Sequence, residues 1–166
     1  IDGGSVWYAH DIDTLLSTED ATGIADVGNY IVVISNAAGS ISYTDIEQFY
    51  YPETIGWDPE FTETSTGFVE APNAIRSTGM KAFIAGDGGY VYSTDAPASG
   101  VTVLDAGVAT SQDLNAIAVY SGSAVVAVGD SGAIVYTTDG ESFHLSPSSP
   151  VGVGVNFTAV AMRSAS

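Results

Sequence analysis

The chain has 166 residues, 45% of them apolar, which suffices for one packed domain and excludes a disordered chain. Twenty Asp and Glu stand against three Lys and Arg, a formal charge of −17 that repels phosphate backbones and anionic lipid, so nucleic acid and membrane surfaces are excluded as partners. There is no cysteine, hence no disulfide framework or thiolate metal site, and the apolar runs of about five residues are far short of a membrane span.

In chain order, Ile1–Asp11 ("IDGGSVWYAHD") reads as a Gly turn with Gly4, a short alternating strand and a polar pair closing on Asp11. Asp11–Asp20 has room for one short helical turn. Thr22–Val27 ("TGIADV") is a strand. Asn36–Asp45 ("NAAGSISYTD") repeats the first pattern, with Gly39 in the turn and Asp45 at the close. A long link precedes the strand Asn73–Thr78 ("NAIRST"). The turn pattern returns as "GDGGYVYSTD" (Gly86–Asp95), with Gly89. After the strand Asn115–Tyr120 ("NAIAVY") it returns again as "GDSGAIVYTTD" (Gly129–Asp139), with Gly132. Thr158–Arg163 ("TAVAMR") is a fourth copy of the leading strand.

The closing aspartates Asp11, Asp45, Asp95 and Asp139 are spaced 34, 50 and 44, and the strand anchors Ile24, Ile75, Ile117 and Val160 are spaced 51, 42 and 43. A period near 43 with several short strands is propeller-blade spacing. The clearest module, "LNAIAVY", "SAVVAVGD", "GAIVYTTD", "ESFHLSP", predicts four antiparallel strands joined by tight turns. The expected fold is all-β: propeller-type blades of four antiparallel strands, a partial or small propeller. The expected modules are a partial blade over 1–20, a blade with a long insertion over 21–71, blades over 72–113 and 114–155, and a first strand over 156–166. The start at a Gly turn and the finish after a first strand imply a segment of a longer propeller, or a ring closed by a defective blade.

"VAVGDSGAIVYTTDGESF" resembles the repeat of BNR/Asp-box β-propellers, the sialidase-like and photosystem-assembly-factor-like group. Thr137-x-Asp139-Gly140-x-Ser142-Phe143 fits the Asp-box core, with Phe143 replacing the usual Trp. "STDAPASG" keeps the first half, "YTDIEQFY" keeps Asp45 and Phe49, and "AHDIDTLL" keeps Asp11 alone.

Gly129-Asp130-Ser131-Gly132 also matches the nucleophile segment of chymotrypsin-like proteases. Its counterpart Gly86-Asp87-Gly88-Gly89 has glycine for serine, so the motif reads as a turn and Ser131 as non-catalytic. The repeated aspartates, with Gly4, Gly39, Gly89 and Gly132, are read as turn-holding residues rather than metal or acid sites, since chemistry is not needed once per blade. His10 and His144 make no metal site without further ligands. Arg76, Arg163 and Lys81 are too few for a sialidase carboxylate grip, and no glycosidase carboxylate pair stands out. No catalytic residue, metal or cofactor is expected.

The link between Asp45 and Ile75 is about eight residues longer than its counterparts. It holds Phe49, Tyr50, Tyr51, Trp57, Phe61 and Phe68. Tyr50, Tyr51, Trp57 and Phe61 are the candidate partner-binding residues, against the alternative that these aromatics fill the blade core. The function expected is a non-enzymatic binding or structural module, in an extracellular, cell-surface or virion-surface assembly. Its partners would be protein subunits or a glycan, within a larger chain or assembly. The alternatives are a propeller glycosidase fragment and an assembly factor for a membrane complex.

Overall fold

The computed structural model describes residues 20–35, 40–45, 61–65, 68–150 and 154–163. Short strands of branched and aromatic residues, each ended by Gly, Asp, Ser or Pro, build three separate four-stranded sheets. The first is β1 (Ala21–Val27), β2 (Tyr30–Ser35), β3 (Ser40–Asp45) and β4 (Thr62–Ser65). The second is β5 (Pro72–Ser77), β6 (Ala82–Gly86), β7 (Tyr90–Thr94) and β8 (Thr102–Ala106). The third is β9 (Leu114–Val119), β10 (Val125–Gly129), β11 (Ile134–Thr137) and β12 (His144–Leu145). Every sheet is an antiparallel meander in chain order. The best-patterned module therefore folds strand for strand as its residues predict.

The ladders put Ile24, Ile75 and Ile117 opposite Val33, Ile84 and Ala127 on the respective second strands. The three anchors are thus equivalent. Their surroundings are not: Ile75 and Ile117 are 0% and 2% exposed, Ile24 62%. A face packed by a preceding blade buries the anchor, and among the described residues none packs on Ile24 in that way.

The core lies in the two seams between sheets. On β6, Ala82 and Ile84 pack with Val32, Ile34 and Ile41 of the first sheet. Phe83 and Ala85 point the other way, onto Ile117, Val125 and Ala127 of the third. Period-two alternation accounts for this, and with both faces covered every residue of β6 is buried. Burial of a side chain such as Phe83 contributes about 1.5–3 kcal/mol.

Past the third sheet, residues 157–163 supply the fourth copy of the leading strand. Phe157 N–H donates to the Gly129 carbonyl over 3.0 Å, and among the described residues no strand pairs with this segment.

Candidate functional site

The second and third blades end their second strand in a Gly-Asp turn that packs against the residue leading into their own first strand. Asp87 N–H donates to the Ala71 carbonyl (2.9 Å) and Asp130 N–H to that of Asp113 (2.9 Å). The approach is so close that a Cβ built on Gly129 would lie 1.8 Å from the Asp113 oxygen. The neighbouring blade caps the same turns. Asp113 accepts from Gly88 N–H (2.8 Å), and Asn156 accepts from Ser131 N–H (3.0 Å). Ser131 stands at φ 54° where Gly88 has φ 62°. The Gly129–Gly132 motif is thus a 3-10 turn stapling two blades, and its serine is exposed at the turn position glycine takes in the second blade.

A second contact recurs at every seam. The Asn73 amide donates to the Asp87 carboxylate (2.7 Å) and to the Leu114 carbonyl of the next blade (3.3 Å). Asn115 does the same to Asp130 (2.8 Å) and the Phe157 carbonyl (3.1 Å). In the first blade the Thr22 hydroxyl donates to the Pro72 carbonyl over 3.1 Å. These donors open the repeated segments "TGIADV", "NAIRST" and "NAIAVY". The signal was visible in the sequence as a Thr or Asn two residues before each anchor, but reading the segments for apolar periodicity passed over it.

The closing aspartates diverge. Asp139 accepts from the N–H groups of Glu141 and Ser142 (both 2.8 Å) and from the Thr137 hydroxyl (2.7 Å). These bonds, Ser142 N–H foremost, hold its carboxyl well below the usual carboxylate range. The ladders place Thr94 opposite Ala82 and Thr137 opposite Val125, so Thr94 and Thr137 are equivalent. Asp95 then sits at the position of Thr138, and Ala96 at that of Asp139. Asp45 likewise directly follows Thr44, the first blade's equivalent of Thr94. Asp95 is exposed and lines a groove; Asp45 is half-buried. Gly89 (φ 79°) and Gly132 (φ 75°) take left-handed turn positions, and a Cβ on Gly89 would lie 1.8 Å from the Thr110 oxygen. Gly4, Asp11 and Gly39 fall outside the described residues.

That groove, of about 440 Å³, is lined chiefly by the second sheet and reached by Glu141 of the third. Lys81, Ser93, Thr94, Asp95 and Ser99 line it, with the 100–104 backbone alongside. Lys81 Nζ lies 5.1 Å over the Phe83 ring, a cation–π contact that fixes one of the chain's three formal cations there. The Thr94 hydroxyl is buried without a hydrogen-bond partner. Its counterpart Thr137 is satisfied by Asp139, a carboxylate that Ala96 cannot replace.

Of the insertion aromatics, Phe68 enters the first seam, edge-on to Tyr92 at 4.7 Å. The Tyr92 hydroxyl meets the N–H groups of Val69 (3.3 Å) and Glu70 (3.1 Å), and burial pushes its pKa up. Phe61 is half-buried just before β4. Tyr50, Tyr51 and Trp57 lie outside the described residues, as does His10. His144 is exposed beside Tyr136, ring centroids 6.0 Å apart. Arg76 is exposed and donates to the Ile75 carbonyl (2.8 Å). Arg163 sits two register positions beyond Arg76 on the equivalent strand, counting from the anchors Val160 and Ile75. Among the described residues no three His, Asp or Glu converge on a common point.

No protein-family model and no curated protein matches the chain. Solved structures do. The computationally designed Ika4 protein is 16% identical with a TM-score of 0.62, over 89% of this chain and 82% of its own. YCF48 from Cyanidioschyzon merolae is 17% identical with a TM-score of 0.63, over 90% of this chain and 50% of its own. YCF48 bound to D1 peptide is 14% identical with a TM-score of 0.60, over 87% of this chain and 44% of its own. The chain thus spans about half the length of the YCF48 structures it matches. Their fold and the three meander sheets lead to one conclusion: the chain folds as β-propeller blades of four antiparallel strands.

Proposed function

We propose that the chain is a non-enzymatic propeller module that binds a protein or peptide, and that the groove around Thr94 takes part in the contact. The observation that carries this reading is the buried Thr94 hydroxyl without a partner, in a groove that also offers a cation (Lys81) and two carboxylates (Asp95, Glu141). An extended peptide supplies a carbonyl for the hydroxyl and basic side chains for the carboxylates. The −17 formal charge draws a basic partner from a distance. YCF48 bound to D1 peptide, a structure of the same fold, supports a peptide as the ligand class and favours an assembly-factor role as a second reading. The hydrogen-bonded Asp139 turn supports kinship with the Asp-box propellers. We place the module in an extracellular, cell-surface or virion-surface assembly, where its acidity suits a hydrated, solvent-facing position.

Selection of a displayed random-peptide library on the protein tests the reading. Basic peptides are expected to be enriched, and Thr94→Val with Glu141→Ala is expected to weaken them about tenfold or more by titration calorimetry. Peptides whose affinity is untouched by both substitutions would move the site elsewhere.

A further inference from the structure

The second and third blades differ around one hydroxyl. In the third, Thr137 donates to the Asp139 carboxylate (2.7 Å) and accepts from the N–H groups of Asp139 (3.3 Å) and Gly140 (3.0 Å). The ladders put Thr94 in the same place in the second blade. Ala96 there has no carboxylate, and Pro97, at the position of Gly140, has no N–H to give. Thr94 is 4% exposed and lines the groove, and its hydroxyl has no partner, which is costly for a buried polar group. The same register carries a second difference. Ala82 and Val125 face Thr94 and Thr137, so Lys81 takes the position of Ala124. The second blade thus lacks the carboxylate that the third keeps, and carries an ammonium that the third does not.

Granted the peptide groove proposed above, on which this step rests, we propose that the bound peptide inserts a carboxylate in the place that Asp139 fills in the third blade. The Thr94 hydroxyl donates to it and the Lys81 ammonium balances its charge, with Ser93 and Ser99 lining the same groove. Charge-assisted hydrogen bonds are about twice as strong as neutral ones, so a carboxylate gains more here than a backbone carbonyl does. A neutral carbonyl satisfies the hydroxyl and brings no opposite charge to Lys81. Asp95 and Glu141 line the groove as well and are exposed, so the ligand carries a basic residue beside its carboxylate. Both signs are needed. With a formal charge of −17 the chain repels a purely acidic peptide, and a purely basic one offers Thr94 and Lys81 nothing but its backbone. The carboxylate comes from an Asp or Glu side chain or from the peptide's own C-terminus, since both present the same pair of oxygens.

Three acetylated lysine-containing peptides of one length distinguish these sources: an amide-ended peptide with a central aspartate, the same peptide with asparagine, and the asparagine peptide with a free C-terminal carboxylate. Each is titrated into the isotope-labelled protein and followed at the amide resonances of Lys81, Thr94 and Asp95. At least one carboxylate peptide is expected to bind about tenfold or more tightly than the asparagine amide, and which one does so identifies the source. Equal affinities at the groove would overturn the carboxylate and leave the peptide groove standing. Shifts away from the groove, or no shifts at all, would overturn both. Two variants test the place itself. Ala96 is exposed, so Ala96→Asp can supply the carboxylate from within the chain, and it is expected to abolish the preference for carboxylate peptides. Lys81→Gln is expected to cut that preference about tenfold, since the charge it answers is gone. A preference kept in either variant would put the carboxylate elsewhere and overturn the proposal.

Discussion

At Ser131 the backbone stands at φ 54°, the one positive φ of a non-glycine among the described residues. A side chain there costs about 1–2 kcal/mol, which glycine avoids at the expense of about 0.5–1 kcal/mol of chain entropy. Ser131→Gly is therefore expected to hold or raise stability by up to about 1 kcal/mol, and Ser131→Val to lower it by about 1–2 kcal/mol, read from urea midpoints. A catalytic serine would show the opposite priority, with fluorophosphonate labelling and loss of activity in Ser131→Gly. Asp139 gives a pH signature. Its folded carboxyl titrates below the unfolded one, so its contribution is complete above about pH 4 and is lost as acid protonates it. The melting-temperature gap between the parent and Asp139→Ala is expected to be widest near neutrality and to close below that pH. A constant gap down to about pH 2 would show that the turn does not depend on the charged carboxylate.

Between strands, the donor that opens each inner strand ties a blade to its neighbour. Asn115→Ala removes bonds to both Asp130 and the next blade and is expected to cost about 1–3 kcal/mol. Asn115→Asp is nearly isosteric and should be worse, since it sets a carboxylate against the Asp130 carboxylate and a carbonyl oxygen. A denaturant series in which Asp is the milder change would mean the amide is not the seam's donor. The strands of the third blade were legible because each alternates cleanly and ends at Gly, Asp or Ser. The non-equivalence of Asp95 and Asp139 was not. "GDGGYVYSTD" is one residue shorter than "GDSGAIVYTTD", and matching the terminal aspartates hid that difference. Register is set by the ladder, which keeps Thr94 in step with Thr137 and shifts the aspartate by one. The groove and its unsatisfied hydroxyl follow from that single-residue offset, so no motif search would have found them.

Across the whole molecule, the dominant electrostatic term is self-repulsion from a formal charge of −17. Melting temperature is expected to rise between about 0.1 and 1 M KCl, as the screening length shrinks from about 10 to about 3 Å. A fall over that range would mean that specific ion pairs outweigh repulsion. The fold was readable at this scale because repetition multiplies a weak local signal: one clear copy and three partial copies of one pattern constrain each other. Ligand identity was not, because binding rests on places where the copies differ, and a difference carries no period.

The central sheet has a kinetic consequence. Among the described residues it is the sheet with another four-stranded sheet packed on each face, and β6 has no exposed residue. Opening it requires breaking two of these sheet-to-sheet seams at once, whereas each flanking sheet shares one of them. In a stack coupled through neighbours, that makes amide deuteration a gradient along the array rather than a uniform rate. The slowest-exchanging amides are expected in β6 and β7, with β1, β12 and residues 157–163 filling first. Two of the groove's lining residues, Ser93 and Thr94, lie on β7. That wall of the groove would then persist through local opening events that release the outer blades.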